Sequence, residues 1–154
     1  MKIRSILVVA ALCLAGFGLA LAADNANMGT WKLNESKSKL GNGPKNTTVT
    51  YTADGDNIKV TTDGTDAEGK ATHTEWTGKF DGKDYPLTGD PNSDARSYKQ
   101  VDDHTLMLDN KKGGKSVVSG KIVVSADGKS RTVTVHGKDS KGKEMNSTAV
   151  YDKE

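Results

Sequence analysis

The residues best suited to chemistry in this chain are two arginines and a few aromatics. After residue 22 the sequence holds 18 lysines but only two arginines, Arg96 and Arg131. A guanidinium captures carboxylate or phosphate through paired N–H donors, and once buried it needs such a partner. Arg96 stands two residues before Tyr98, and Arg131 two and four residues before Val133 and Val135. In an extended chain, alternation sends each arginine to the side of those neighbours. Trp76 shares its parity with Thr74 and Gly78, small residues that leave room beside an indole. Trp76, Tyr98, Arg96 and Arg131 are therefore the candidate ligand-binding residues, suited to a small, partly apolar, anionic molecule. The plainer alternative places both arginines at strand ends on a rim, paired with some of the 20 acidic residues.

Catalysis has no comparable pattern. A nucleophile needs a base beside it and a third group to orient that base. The only cysteine is Cys13, and no Gly-x-Ser-x-Gly elbow occurs. His73 falls on a polar face, His104 in a turn and His136 just past an apolar run, and no two stand at a ligand spacing. Asp54-Gly55-Asp56-Asn57 opens like a calcium loop. The glycine and glutamate that an EF-hand then requires are replaced by Lys59 and Thr65. No catalytic residue, metal site or cofactor is expected, and the chain is not read as an enzyme.

The elements that must position these residues begin after a leader. Met1–Ser5 is cationic, Ile6–Leu19 is apolar, and Ala20-Leu21-Ala22 is a small-x-small cleavage site. This is the order of a secretory signal. Residues 1–22 are thus expected to be removed, leaving 23–154 as one exported domain, periplasmic or secreted, with no stable membrane insertion. Without the leader there are 20 basic and 20 acidic residues, so net charge gives no reason to expect nucleic acid or an anionic membrane as a partner.

Turn chemistry then recurs at short intervals, as in Ala53-Asp54-Gly55-Asp56, Lys112-Gly113-Gly114 and Ala126-Asp127-Gly128. The runs between are rich in Thr and Val and alternate with period two. The spacing predicts strands near 29–34, 47–53, 57–64, 70–80, 84–88, 95–101, 105–110, 115–126, 131–138 and 143–152. Val49–Lys70 also aligns without a gap on Ile122–Lys143, sharing for instance Ala-Asp-Gly, Val-Thr and Gly-Lys. A repeated three-strand meander with short connections most simply closes on itself, which removes exposed edges. The expected fold is an all-β, antiparallel up-and-down barrel of about 8–10 strands.

The opening Gly29-Thr30-Trp31-Lys32-Leu33 resembles the first strand of the calycin barrels, the lipocalins and fatty-acid-binding proteins. Ala149-Val150-Tyr151-Asp152-Lys153-Glu154 resembles the last strand of the fatty-acid-binding proteins. The chain is also similar to a group of small exported bacterial proteins of unknown role. The resemblance implies a ligand-binding barrel with Trp31 packed at one end. Three departures stand against a shared ligand. Asn34–Asn46 is too short for the fatty-acid-binding proteins' helical lid, Ala149 occupies the position of their carboxylate-binding arginine, and no arginine follows Arg131 to pair with Trp31 as in lipocalins.

The function expected from these residues is noncatalytic binding of a small apolar or anionic molecule. The alternative is a protein-binding module, such as an exported protease inhibitor presenting Asp24–Met28 or Gly89–Asp94. Expressed in a bacterium with its first 22 residues, the protein should be recovered outside the cytoplasm with Ala23 at its amino terminus. N-terminal sequencing checks this; a product that begins at Met1 would mean that the leader is kept.

Overall fold

A computed structural model describes residues 25–41, 43–138 and 141–154; the expected leader lies outside them. Ten strands follow in order: β1 (Gly29–Leu33), β2 (Lys45–Asp54), β3 (Asn57–Thr65), β4 (Ala71–Gly78), β5 (Tyr85–Thr88), β6 (Ala95–Asp102), β7 (Thr105–Lys112), β8 (Lys115–Val124), β9 (Ser130–Lys138) and β10 (Glu144–Lys153). Each pairs antiparallel with the next, and β10 returns to β1, so the sheet closes into an up-and-down barrel. The expected strands are these ten, with ends displaced by no more than two residues.

Local chemistry explains the turns. Gly113 and Gly114 both have positive φ, 55° and 78°, as a tight two-residue link from Lys112 to Lys115 demands. Asp102 and Asp127 cap their turns, each carboxylate accepting a backbone N–H two residues on, from His104 at 2.9 Å and Lys129 at 3.0 Å. The segment after β1 makes one short 3₁₀ turn, Glu35–Lys37, and Lys39 then bridges to Thr148. No helical lid forms among its described residues.

The two sequence copies are alike in one hairpin and unlike in the other. Ile58 pairs with Gly78 in β3–β4, and Arg131 pairs with Tyr151 at the equivalent place in β9–β10. The turn before them differs. Asp54 pairs with Asn57 in the first copy, whereas Ser125 N–H reaches Ser130 O across a longer loop in the second. The register is offset by an even number of residues, which leaves the inward face unchanged.

Alternation places Trp31, Tyr51, Val60, Trp76, Tyr98, Leu106, Ile122 and Tyr151 inside, all 3% exposed or less. These fill the end that also holds the turns after β2, β6 and β8 and the segment Asn25–Met28; it is the closed end. Inward residues toward the other end include the small or polar Thr62, Gly64, Thr72, Thr74, Asn110 and Ser147 beside Leu108, Val118 and Val135. There Thr72, Thr74, Leu108, Val135 and Ser147 are only half-buried, although their strands are paired on both sides. The inner wall is therefore less completely covered at this open end than at the closed one.

Inward glycines also let strands approach closely. A Cβ at Gly64 would overlap the carbonyl oxygen of Lys45 on β2. Gly64→Ala should cost about 1–3 kcal/mol by overpacking. The urea midpoint should fall with an unchanged slope; an unchanged midpoint would show that β2 yields freely.

Candidate functional site

Trp31 is completely buried at the closed end, and its Nε1 donates to the carbonyl of Asn27 at 2.8 Å. Arg131 enters from the start of β9 and is 2% exposed. Its guanidinium carbon lies 4.9 Å from the Trp31 ring centre, 5.0 Å from Tyr51 and 4.9 Å from Tyr151. The cation is thus held by three aromatic faces, an attraction that strengthens as water is excluded. Its Nε and one terminal nitrogen make no hydrogen bond, and no carboxylate among the described residues pairs with it. The tryptophan–arginine pairing that chain order alone excluded is therefore present in space, supplied by Arg131 from the ninth strand. Chain position had been a poor guide, because β9 lies only one strand from β1 across β10.

Toward the open end, Arg96 lies near the start of β6 and is half-buried. Its Nε donates to Asn110 Oδ1 at 2.6 Å, and Nη1 donates to the Tyr98 hydroxyl at 3.2 Å. A guanidinium has five N–H donors, so these bonds leave three unused. No acidic side chain among the described residues pairs with Arg96. The rim pairing with acids is thus seen at neither arginine.

Beneath Arg96 the rings form a floor. Trp76 meets Tyr98 edge-on at 4.9 Å and Tyr85 edge-on at 5.7 Å, and it stacks on Phe80 at 6.4 Å. The room expected beside Trp76 is filled, because the Tyr85 ring occupies the space left by the missing Cβ of Gly78. Trp76 Nε1 donates to the carbonyl of Arg96 at 2.8 Å, tying this floor to the strand that carries the cation. Trp76, Tyr98 and Arg96 come together as one unit. Arg131 lies on the far side of the floor, and sequence parity could not show that difference in height.

Burial raises the Tyr98 phenol well above its ordinary range, against the pull of Arg96. Burial likewise pushes Tyr151 up to about 12, with Arg131 opposing. Both phenols therefore stay neutral and able to donate.

The histidines stand on the outside or at a turn. His73 joins Asp63 at 2.6 Å and Glu75 at 3.4 Å on the outer wall, and the Asp63 hydrogen bond is the main reason its pKa is raised. His136 Nε2 lies 3.0 Å from the Ser119 hydroxyl, a contact that the sequence did not suggest. No three His, Cys, Asp or Glu side chains among the described residues form a metal-binding group. Two shallow outer depressions, one beside Met107 and Val123 and one beside Lys39, are lined by none of the four candidates.

Of the segments suited to a protein partner, the described part of Asp24–Met28 packs on the closed end, whereas Gly89, Pro91, Asn92 and Asp94 are exposed. Asn27 is 1% exposed, and Asn25 Nδ2 donates to Gln100 across the closed end at 3.2 Å. In Gly89–Asp94, Ser93 is buried and the Asp94 carbonyl accepts from Leu87 N–H.

No protein-family model matches the chain, and no curated protein matches it by sequence. Among solved structures, a redesigned β-barrel, mFAP1, bound to DFHBI, is similar at a TM-score of 0.47 and 14% identity. The match covers 85% of this chain and 100% of that one.

The raised phenols carry a pH dependence. Unfolded tyrosines release their protons near pH 10, while Tyr98 and Tyr151 hold theirs in the barrel. Over that range the unfolded state binds fewer protons, so stability falls as pH rises from about 10 toward about 12. Urea midpoints measured across this range should decline, and Tyr151→Phe should lessen the decline. An equal decline in the variant would mean that Tyr151 titrates normally.

Proposed function

We propose that this is an exported, noncatalytic barrel that binds a small, partly apolar, anionic molecule through its open end. One observation carries the proposal: Arg96 is a half-buried interior guanidinium with unused donors and no acidic partner among the described residues. A cation in that position is costly without a counter-charge, and a ligand carboxylate, sulfonate or phosphate would supply one. Arg96 would hold the anionic group. Asn110 and Tyr98 fix the orientation of the guanidinium, and Trp76 supports them from below. The apolar part of the ligand would meet Leu108, Val118 and Val135. Arg131 keeps the aromatic floor in place and does not touch the ligand in this scheme. A barrel of about eight strands is just wide enough to hold one small ligand, and ten strands give more width.

Export rests on the order of charge, apolar run and small residues in the first 22 positions. The noncatalytic assignment rests on the site offering a cation, an amide and phenols with raised pKa, and no base beside a nucleophile.

Anilinonaphthalene sulfonate, an anionic aromatic dye, tests the site. It should bind the folded mature protein saturably, with one dye per barrel. Arg96→Leu should weaken binding by about 10- to 100-fold, the worth of hydrogen bonds to a charged group. Arg96→Lys should recover part of the loss, and the urea midpoints of both variants would show that the barrel persists. Absence of saturable binding, or equal binding by Arg96→Leu, would overturn the assignment.

A further inference from the structure

The mature chain is neutral as a whole, yet its charges are not evenly spread. At the closed end the turns after β2, β6 and β8 carry Asp54, Asp56, Asp102, Asp103 and Asp127 with one lysine, Lys129, while the connection after β4 is balanced, with Lys79, Asp81, Lys83 and Asp84. At the open end, β7–β8 and β9–β10 turn back beside one another, because β8 pairs with β9. The first of these turns, Lys111–Lys115, carries three lysines and no acid; Lys138–Glu144 carries three lysines and two acids. Lys112, Lys115 and Lys138 are exposed and make no ion pair with any described residue. Lys111, by contrast, is held by Asp84 at 2.8 Å. Elsewhere on that rim the turns after β3 and β5 carry Asp66, Glu68, Asp90 and Asp94 against Lys70, and the segment after β1 carries Glu35, Lys37 and Lys39. The turns after β3 and β5 thus form an acidic lip, although Asp94 also accepts from Gly113 N–H of the lysine turn at 3.0 Å.

From this we infer that the basic lip docks the barrel on an anionic lipid surface, with the opening brought against the head groups. The inference stands on the lysines and does not require the ligand assignment above. Three features favour lipid over other anionic partners. The cations are lysines on projecting turns, compact charges suited to diffuse attraction and not to the bidentate pairing that arginine gives. No aromatic side chain stands among them to stack on a nucleic-acid base. The exposed large apolar residues, Val101, Met107 and Val123, lie on the strand walls and not on these turns, so the lip lacks the apolar anchor of a protein interface. Attraction to an anionic leaflet needs no such anchor, since each lysine near the surface contributes on its own.

Sedimentation of the mature protein with lipid vesicles decides the matter. Vesicles of phosphatidylglycerol and phosphatidylcholine mixed should carry the protein down at low salt, and pure phosphatidylcholine should not. Roughly 1 M salt, where charges are screened beyond ~3 Å, should release it. Replacing Lys112, Lys115 and Lys138 by Gln should weaken binding by about fivefold each, on the order of a hundredfold together. The same replacement of Lys79, Lys99 and Lys121 should leave binding unchanged. No sedimentation at low salt overturns the proposal, as does equal loss from both triple variants. Tight capture of inorganic polyphosphate with no response to vesicles would assign the lip to soluble polyanions and overturn it too. Dye binding by the triple variants, measured in parallel, separates failure of the lip from failure of the interior site.

Discussion

The structure depends on the seam where the first strand meets the last. Trp31 sits in that seam, opposite Val49 on one side and Lys153 on the other, and its ring fills the end of the barrel. Only about 27% of residues 23–154 are apolar, well below an ordinary domain. A barrel concentrates that limited supply, because every strand contributes alternate side chains to one shared interior. An open sheet with the same sequence would bury too few of them. The seam thus turns ten weakly apolar segments into a core around two tryptophans and several tyrosines.

The aromatic floor divides the interior into two unlike parts. On one side Arg131 is enclosed by Trp31, Tyr51 and Tyr151, and the cation helps to set their mutual angles. On the other side Arg96 is half-buried beside Asn110 and Tyr98. Tyr98 stands between the two cations: Arg96 donates to its hydroxyl, and Tyr51 touches its ring at 6.2 Å. The same residue type is therefore enclosed by rings at one level and left half-buried with unused donors at the next. What separates the two is burial, because the side-chain chemistry is identical.

Much of this was legible in the sequence. Turn residues and the alternating runs between them marked all ten strands, and period-two alternation carried along those strands puts Val49, Tyr51, Val60, Leu106, Ile122 and Tyr151 on the buried face. Parity also sent Arg96 and Arg131 inward. It could not say how far along the barrel each one sits, since strand tilt and register set that height. The crowding around Trp76 was equally hidden. Gly78 suggested space, but Tyr85 from the next strand fills it. The stacking of Arg131 on Trp31 was missed because the chain order of a motif was taken as its place in space. Net charge concealed the basic lip for a related reason: a sum over the chain holds no information about which turns share an end.

The β1–β10 seam also bears on how the molecule forms. It joins residues from opposite extremes of the described chain, Trp31 with Lys153, so it is among the least local pairings that the fold contains. Such topology slows folding, and until the seam shuts, the first and last strands are raw edges able to pair with other molecules. Between synthesis and a shut seam the nascent chain is therefore exposed to aggregation for longer than a helical protein of its size. Anything that binds the unshut form would act on the yield of this protein more than on its final stability.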